Sequence, residues 1–355
     1  MKSYTTDGKV VHFSKEEQIN DKLSRILGDR FKDYRAEWDK VNQLELVTKF
    51  PLFLQLDMNQ DCNFECPHCI VGDMSIANKY YNGDPLTWNQ YKSIVDEAKE
   101  HNCPSISLQG NNEPLLIKDL EKYIKYAHDN GFIDIMINTN ASPLTEKRAK
   151  SILDSGLTRI RFSLDAADKE TFEKIRLGGR YDQVVRNIER FLELKEKGGY
   201  KLPVTGVSFC LQKDNEHQVD DFIKQWEDRV DMVTIQKFMP PAPEHGFDRF
   251  YPSGQEDNSQ ILTKGFKCPQ PFQRVAIRNS EITPCCAAIS GGLKIGEIGE
   301  DKIFDAWNST GMQELRKLHM EGRWYDNDVC KTCVEMSDPQ AKKTHDTGKI
   351  KVTTK

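Results

Sequence analysis

Six short apolar segments alternate with amphipathic, helix-spaced ones between Pro51 and Phe238, and this rhythm constrains the fold more than any other feature of the chain. The strand candidates are FLQLDM (53–58), SISLQG (105–110), IDIMINTN (133–140), TRIRFSLDA (158–166), VTGVSFCLQ (204–212) and MVTIQKF (232–238). Helical spacing fills the intervals at 87–101, 119–131, 144–156, 181–197 and 217–230. Such alternation gives an α/β fold with a parallel sheet and right-handed crossovers. Six units are too few for a closed TIM barrel, so a partial barrel or a doubly wound sheet remains. In either, ligands bind at the carboxyl ends of the strands.

Upstream, residues 1–50 are rich in charge, and Ile19, Leu23, Ile26, Leu27 and Phe31 fit one helical stripe. A helical extension packed on the core of residues 51–238 is expected there. Downstream, residues 239–260 break the rhythm with proline, glycine and polar side chains and read as a linker. A small cysteine-bearing domain at 261–336 follows, then a polar, lysine-rich tail at 337–355 that is expected to be poorly ordered.

With 30% charged residues and a net charge of −5, the chain has a soluble protein's composition and no nucleic-acid footprint. No apolar run approaches the ~20 residues of a membrane span. The start, MKSYTTDGKVVHF, lacks the apolar stretch of a secretory signal. A cytoplasmic location is therefore expected. In a reducing compartment the ten cysteines are free thiols or ligands of metals and clusters, not a disulfide framework. Cys103 and Cys210 stand alone and read as small buried side chains. The other eight form two groups, Cys62, Cys66 and Cys69 early in the chain and Cys268, Cys285, Cys286, Cys330 and Cys333 late.

The first group lies in DCNFECPHC (61–69), on the loop that leaves the carboxyl end of the first strand. Its close spacing lets three sulfurs turn toward a common centre. A [4Fe–4S] cubane normally takes four thiolates, so three leave one iron with an open position. A zinc site would need His68 beside Cys69, and adjacent ligands are sterically awkward.

This spacing, with His68 in the place of an aromatic-type residue, resembles the signature of the radical S-adenosylmethionine (radical SAM) family. The resemblance implies a partial (β/α)6 TIM-like barrel in which the open iron chelates the amino and carboxylate groups of SAM. It implies reductive cleavage of SAM to a 5′-deoxyadenosyl radical that abstracts hydrogen from unactivated carbon. An electron donor such as flavodoxin or ferredoxin is the implied partner. QGNNEPLL (109–116) resembles the family's Gly-Gly-Glu-Pro-type stretch that binds the SAM ammonium, with Asn111 and Asn112 replacing the glycines and Glu113 and Pro114 matching. NTNASPL (138–144), with Asn140, resembles a Thr-Asn stretch near SAM. Ser163 and Asp165 in SLDA (163–166) resemble residues that touch its ribose or methionine part. Arg176 in KIRLGG matches an arginine near the SAM carboxylate, the natural partner of a guanidinium fork.

In the second group, Cys330-x2-Cys333 is a two-ligand clip that needs another to close a four-coordinate site. VAIRNSEITPCC reads as a hairpin turning at Asn279-Ser280, which brings Cys285 or Cys286 back near Cys268. On ligands alone a zinc ribbon competes, and a non-catalytic zinc-binding protein is the different-class alternative. The layout resembles the SPASM/twitch extension of radical SAM enzymes. That implies one auxiliary [4Fe–4S] cluster held by Cys268, Cys285 (Cys286 being the alternative), Cys330 and Cys333. Both resemblances together span about residues 51–336. Single-cluster members of the family include a dehydrogenase that oxidises a hydroxyl in aminocyclitol biosynthesis. The expectation is an oxidoreductase acting on a small hydroxylated substrate, a sugar or cyclitol, by dehydrogenation or a related redox step. A peptide- or protein-modifying maturase is the alternative.

Overall fold

A computed structural model describes residues 3–4, 10–13, 16–80, 84–243, 246–253 and 267–337. The strands are β1 (Ser3–Tyr4), β2 (Val10–Phe13), β3 (Phe53–Asp57), β4 (Ser105–Ser107), β5 (Asp134–Thr139), β6 (Arg159–Ser163), β7 (Val204–Leu211), β8 (Met232–Lys237), β9 (Arg274–Arg278), β10 (Glu281–Thr283) and β11 (Gly296–Glu297). β3 to β8 are the six strands expected from the rhythm, and they pair in parallel in chain order. β3 and β8 do not pair with each other, so the barrel is partial, as expected.

Alternation along β5 and β6 assigns the two faces. Ile135, Ile137, Ile160 and Phe162 are buried, and the Phe162 ring lies 5.6 Å edge-on to Phe191 of the helix Tyr181–Lys197. Asn138, Arg161 and Ser163, on the opposite face, are half-buried and line the barrel's concave side.

The stripe near the start forms helices at Glu16–Leu27 and Asp29–Asn42. Ile19, Leu23 and Phe31 are buried with Leu52, Val204, Met232 and Phe272, at the amino ends of the strands. These helices close the end of the barrel away from the cysteine loop. β1 and β2 precede them in a stretch expected to be helical. β2 runs antiparallel along β8, which an incomplete barrel leaves as an edge that has to be covered.

The other edge is covered by the cysteine-bearing region. β9 lies parallel to β3, and β9, β10 and β11 form an antiparallel meander that continues the same sheet. The expected hairpin turn is present. Asn279 and Ser280 both have positive φ (49° and 67°), as a two-residue type I′ turn requires. Arg278, at its tip, donates to the Asp57 carboxylate at 3.1 Å in a buried pair, and Gln60 donates to Asn279 at 2.7 Å. The hairpin is thus tied to the end of the first barrel strand, next to the cysteine loop.

Part of the proline-rich stretch also packs there. Phe238, Ala242, Phe247 and Phe250 form a small core with Ile70 and Ala77. Residues 254–266 and 338–355, which hold the rest of that linker, the start of the cysteine-bearing domain and the polar tail, lie outside the described residues. Among the described residues no helix is long and apolar enough to cross a membrane.

Candidate active site

β3 ends at Asp57 and releases the loop that carries the first cysteines. Phe64 anchors the loop: it is buried, with its ring 6.4 Å edge-on to Phe172, and the neighbouring Glu65 N–H donates to the Leu177 carbonyl at 2.9 Å. The chain then folds tightly enough that a Cβ on Gly72 would lie 2.1 Å from the Cys66 carbonyl oxygen. Polar N–H groups face the sulfurs. Phe64 N–H donates to Cys62 Sγ at 3.5 Å, Asn140 Nδ2 reaches it at 4.0 Å, and main-chain N–H groups of Val71, Gly72 and Ile70 point at Cys69. Burial raises all three thiols, Cys66 to about 12, and the Arg176 guanidinium works against that. Three desolvated thiols, two of them facing N–H donors, with a cation at hand suit ligands that lose their protons to a metal centre. The donor set therefore fits a cluster. When bound, a [4Fe–4S] cluster with an open iron supplies one electron to SAM.

A cavity of about 280 Å³ opens above this loop at the carboxyl ends of the strands. Cys62, Cys66, Cys69, His68, Asn111, Asn112, Glu113, Asn140, Ser163 and Arg176, drawn from four successive βα units, all line it. Gln109, Asn138, Thr139 and Pro241 complete much of the wall. Gln109 and Asn138 are the first residues of the QGNNEPLL and NTNASPL stretches, so their place in those motifs was the available signal. Pro241 had none, since it belongs to the stretch read as a linker.

Glu113 lines the cavity, but its carboxylate is already engaged. It accepts from the Thr139 hydroxyl at 2.6 Å, from the Asn140 N–H at 2.6 Å and from the Leu115 N–H at 3.0 Å. Its role in the structure is to hold the loop after β5 against the loop after β4. Asn112 bridges Gly110 N–H (3.0 Å) and Asn59 (2.7 Å), and the Asn111 N–H points at Asp57. Gly110 is the position that cannot carry a side chain, because its Cβ would meet Asp57 Cγ at 2.1 Å.

Asp165 lies behind the wall, buried, at a left-handed φ of 62°. One oxygen accepts from the Cys210 N–H at 2.7 Å, and the other takes the Arg176 fork, at 2.9 Å from Nε and in close contact with Nη2. Asp165 thus positions Arg176, which faces the cavity. The His68 ring lies 3.7 Å from the same carboxylate, and burial lowers its pKa to about 4, so it is neutral. Asp165→Asn breaks a buried ion pair and leaves Arg176 uncompensated. The expected cost is about 3 to 5 kcal/mol of stability, read as a drop in the urea midpoint, together with weaker SAM binding by calorimetry.

The later cysteines gather beyond the hairpin. Cys330 and Cys333 sit one turn apart on the helix Asp328–Ser337, on one face. Cys285 is within electrostatic reach of both, and burial raises its thiol and also that of Cys330, the latter to about 12. His319 joins the remaining member: its Nδ1 lies 3.3 Å from the Cys268 N–H and its Nε2 3.5 Å from Cys330 Sγ. Cys286 points its N–H at Gln270. None of the ten cysteines is in a disulfide. Among the described residues no three His, Cys, Asp or Glu side chains converge as a single metal ion requires.

Comparison with known proteins places these observations in a family. Residues 58–225 match the model of the radical SAM superfamily, and residues 268–334 match that of an iron–sulfur cluster-binding domain, SPASM. A probable GTP 3′,8-cyclase of Methanococcus maripaludis is 31% identical over 308 residues, covering 81% of this chain and 95% of the relative. A GTP 3′,8-cyclase of Clostridium botulinum is 24% identical over 213 residues, which span 60% of this chain and 63% of that protein. Among solved structures, BtrN in complex with AdoMet and 2-DOIA superposes with a TM-score of 0.51 at 18% identity, over 81% of this chain and 94% of that one. SuiB of Streptococcus suis bound to its precursor peptide SuiA gives 0.60 at 14% identity, over 81% and 70%. These structural likenesses concern the fold. The chain belongs to the radical SAM superfamily, an enzyme that uses a [4Fe–4S] cluster and S-adenosylmethionine and carries a C-terminal SPASM domain for an auxiliary iron–sulfur cluster.

Proposed function

We propose that this enzyme dehydrogenates a small hydroxylated molecule of the sugar or cyclitol class. The supporting observation is the chemistry of the cavity wall. Gln109, Asn111 and Asn138 contribute neutral amides and Ser163 a hydroxyl, while the polar ends of Asn112, Thr139 and Asn140 are held by neighbouring protein groups. Amides offer donors and acceptors together, which is what a ring of hydroxyl groups needs. Part of this wall serves SAM, with His68, Asn111, Asn112, Asn140, Ser163 and Arg176 as its contacts. The relatives named GTP 3′,8-cyclase suggest a nucleotide instead. A triphosphate calls for several lysines or arginines, whereas Arg176 is the lining's sole Lys or Arg among the described residues, and Asp165 already neutralises it.

In the overall balance, a substrate C–H gives its hydrogen atom to the radical that SAM supplies. The adjacent hydroxyl gives up its proton, one electron leaves, and C–OH becomes C=O. Cys268, Cys285, Cys330 and Cys333 would hold the auxiliary cluster that receives this electron, and four thiolates leave it no open iron. The first electron comes from an external donor such as flavodoxin or ferredoxin.

The test is to incubate the reconstituted protein with SAM, a reductant and carbon-deuterated candidates from three classes: cyclitols and aminosugars, GTP, and short peptides. Deuterium should appear in 5′-deoxyadenosine with a member of the first class, alongside a carbonyl product. Transfer from GTP or a peptide alone would overturn the assignment.

A further inference from the structure

His319 belongs to neither cysteine motif, yet its ring joins two of the later cysteines. It lies on the helix Thr310–Met320 and is 2% exposed. The Cys268 main-chain N–H can only donate, so Nδ1, 3.3 Å away, must offer a lone pair. The ring's proton is then on Nε2, the nitrogen that faces Cys330 Sγ at 3.5 Å. One turn earlier on the same helix face, Arg316 donates from Nε to the Pro271 carbonyl at 2.9 Å while its guanidinium lies 4.1 Å over the Trp307 ring. The helix therefore docks on the 268–271 segment at two points, and the imidazole is held in one orientation.

We propose that His319 is a positioning residue of the auxiliary cluster. It fixes the main chain at Cys268, and it donates a hydrogen bond to the Cys330 thiolate that raises the potential at which the cluster accepts an electron. The direction follows from charge. Reduction adds a negative charge shared by the sulfurs, and an N–H aimed at one of them stabilises the reduced state more than the oxidised one. In a buried site this donor replaces the water that would otherwise do so. Such tuning suits a cluster that must take an electron from a substrate, and to that extent the inference rests on the proposed dehydrogenation and on the four-cysteine ligand set.

The test is an EPR-monitored redox titration of the reconstituted full chain, with iron counted first. About eight irons per chain are expected for two clusters; about four in the wild type would sink the ligand assignment and this inference with it. With both clusters loaded, H319L should make reduction of the auxiliary cluster about tenfold less favourable, a fall of about 59 mV for one electron. The SAM-binding cluster should not move. H319Q, whose amide can both accept from Cys268 and donate to Cys330, should recover most of the difference. An unshifted H319L, or an H319Q no better than H319L, overturns the role of His319 and leaves the dehydrogenation proposal standing. Should H319L fail to load, pulsed EPR of the wild type labelled with 15N-histidine decides instead. A weak nitrogen coupling with an exchangeable proton supports the hydrogen bond, and no coupling or the strong coupling of a bound nitrogen refutes it.

Discussion

Replacing Cys62, Cys66 and Cys69 together by alanine should abolish SAM cleavage and halve the reconstituted iron, from about eight to about four per chain. The effect is large because nothing else in the cavity can substitute. The wall holds neutral amides, hydroxyls, a neutral imidazole and an arginine paired with Asp165, and none of these donates an electron. The fold should persist, since the loop is anchored by Phe64 against Phe172 and by the Glu65 N–H on Leu177, not by its sulfurs. Circular dichroism and the urea midpoint of the iron-free protein should therefore stay close to wild type while 5′-deoxyadenosine falls to the reagent blank. Cys103→Ala is the matched control. Its thiol is buried against the Pro51 carbonyl, away from both cysteine groups, so it should keep its iron and its cleavage. Cleavage by the triple variant would remove the basis for every functional statement above.

The sequence carried the barrel because its signals are local. The strands read as short apolar or alternating runs, and the helices between them repeat every turn. The Asn279-Ser280 turn was legible for the same reason, since two adjacent residues set its conformation. The three early cysteines and the motif loops could be placed together because every loop leaves the same end of the sheet. What stayed hidden depends on contacts between distant segments. Asp57 and Arg278 lie 221 positions apart, and neither neighbourhood suggests a buried pair. His319 sits in an ordinary amphipathic helix and gains its meaning only when that helix docks on Cys268. Glu113 stands in its motif by local sequence, but nothing near it announces that its carboxylate also accepts from Thr139 and Asn140 on the next βα unit. The exchange of glycines for Asn111 and Asn112 also becomes clear. The close approach to Asp57 falls on Gly110, so the two following positions are free to bear side chains.

Replacing Cys330 and Cys333 by serine should separate two activities that the wild type couples. SAM cleavage should continue, because the loop of Cys62, Cys66 and Cys69, the Arg176–Asp165 pair and the amide wall are untouched by changes on the helix Asp328–Ser337. Product should fall below detection, because a substrate that has lost a hydrogen atom still has to lose a proton and an electron to become a carbonyl. Without the second cluster the electron has no acceptor, and the radical is quenched by regaining hydrogen. The readout is the ratio of 5′-deoxyadenosine to product, which should rise from parity to a large excess while iron falls to about four per chain. Recovered substrate should also show hydrogen exchange at the abstracted position. The opposite outcome is as informative. If the double variant loses half its iron yet turns over at the wild-type ratio, the electron never leaves the substrate, and the reaction is a redox-neutral rearrangement. The four late cysteines would then shape the cavity through the hairpin, which Arg278 and Gln60 tie to the loop at the end of β3.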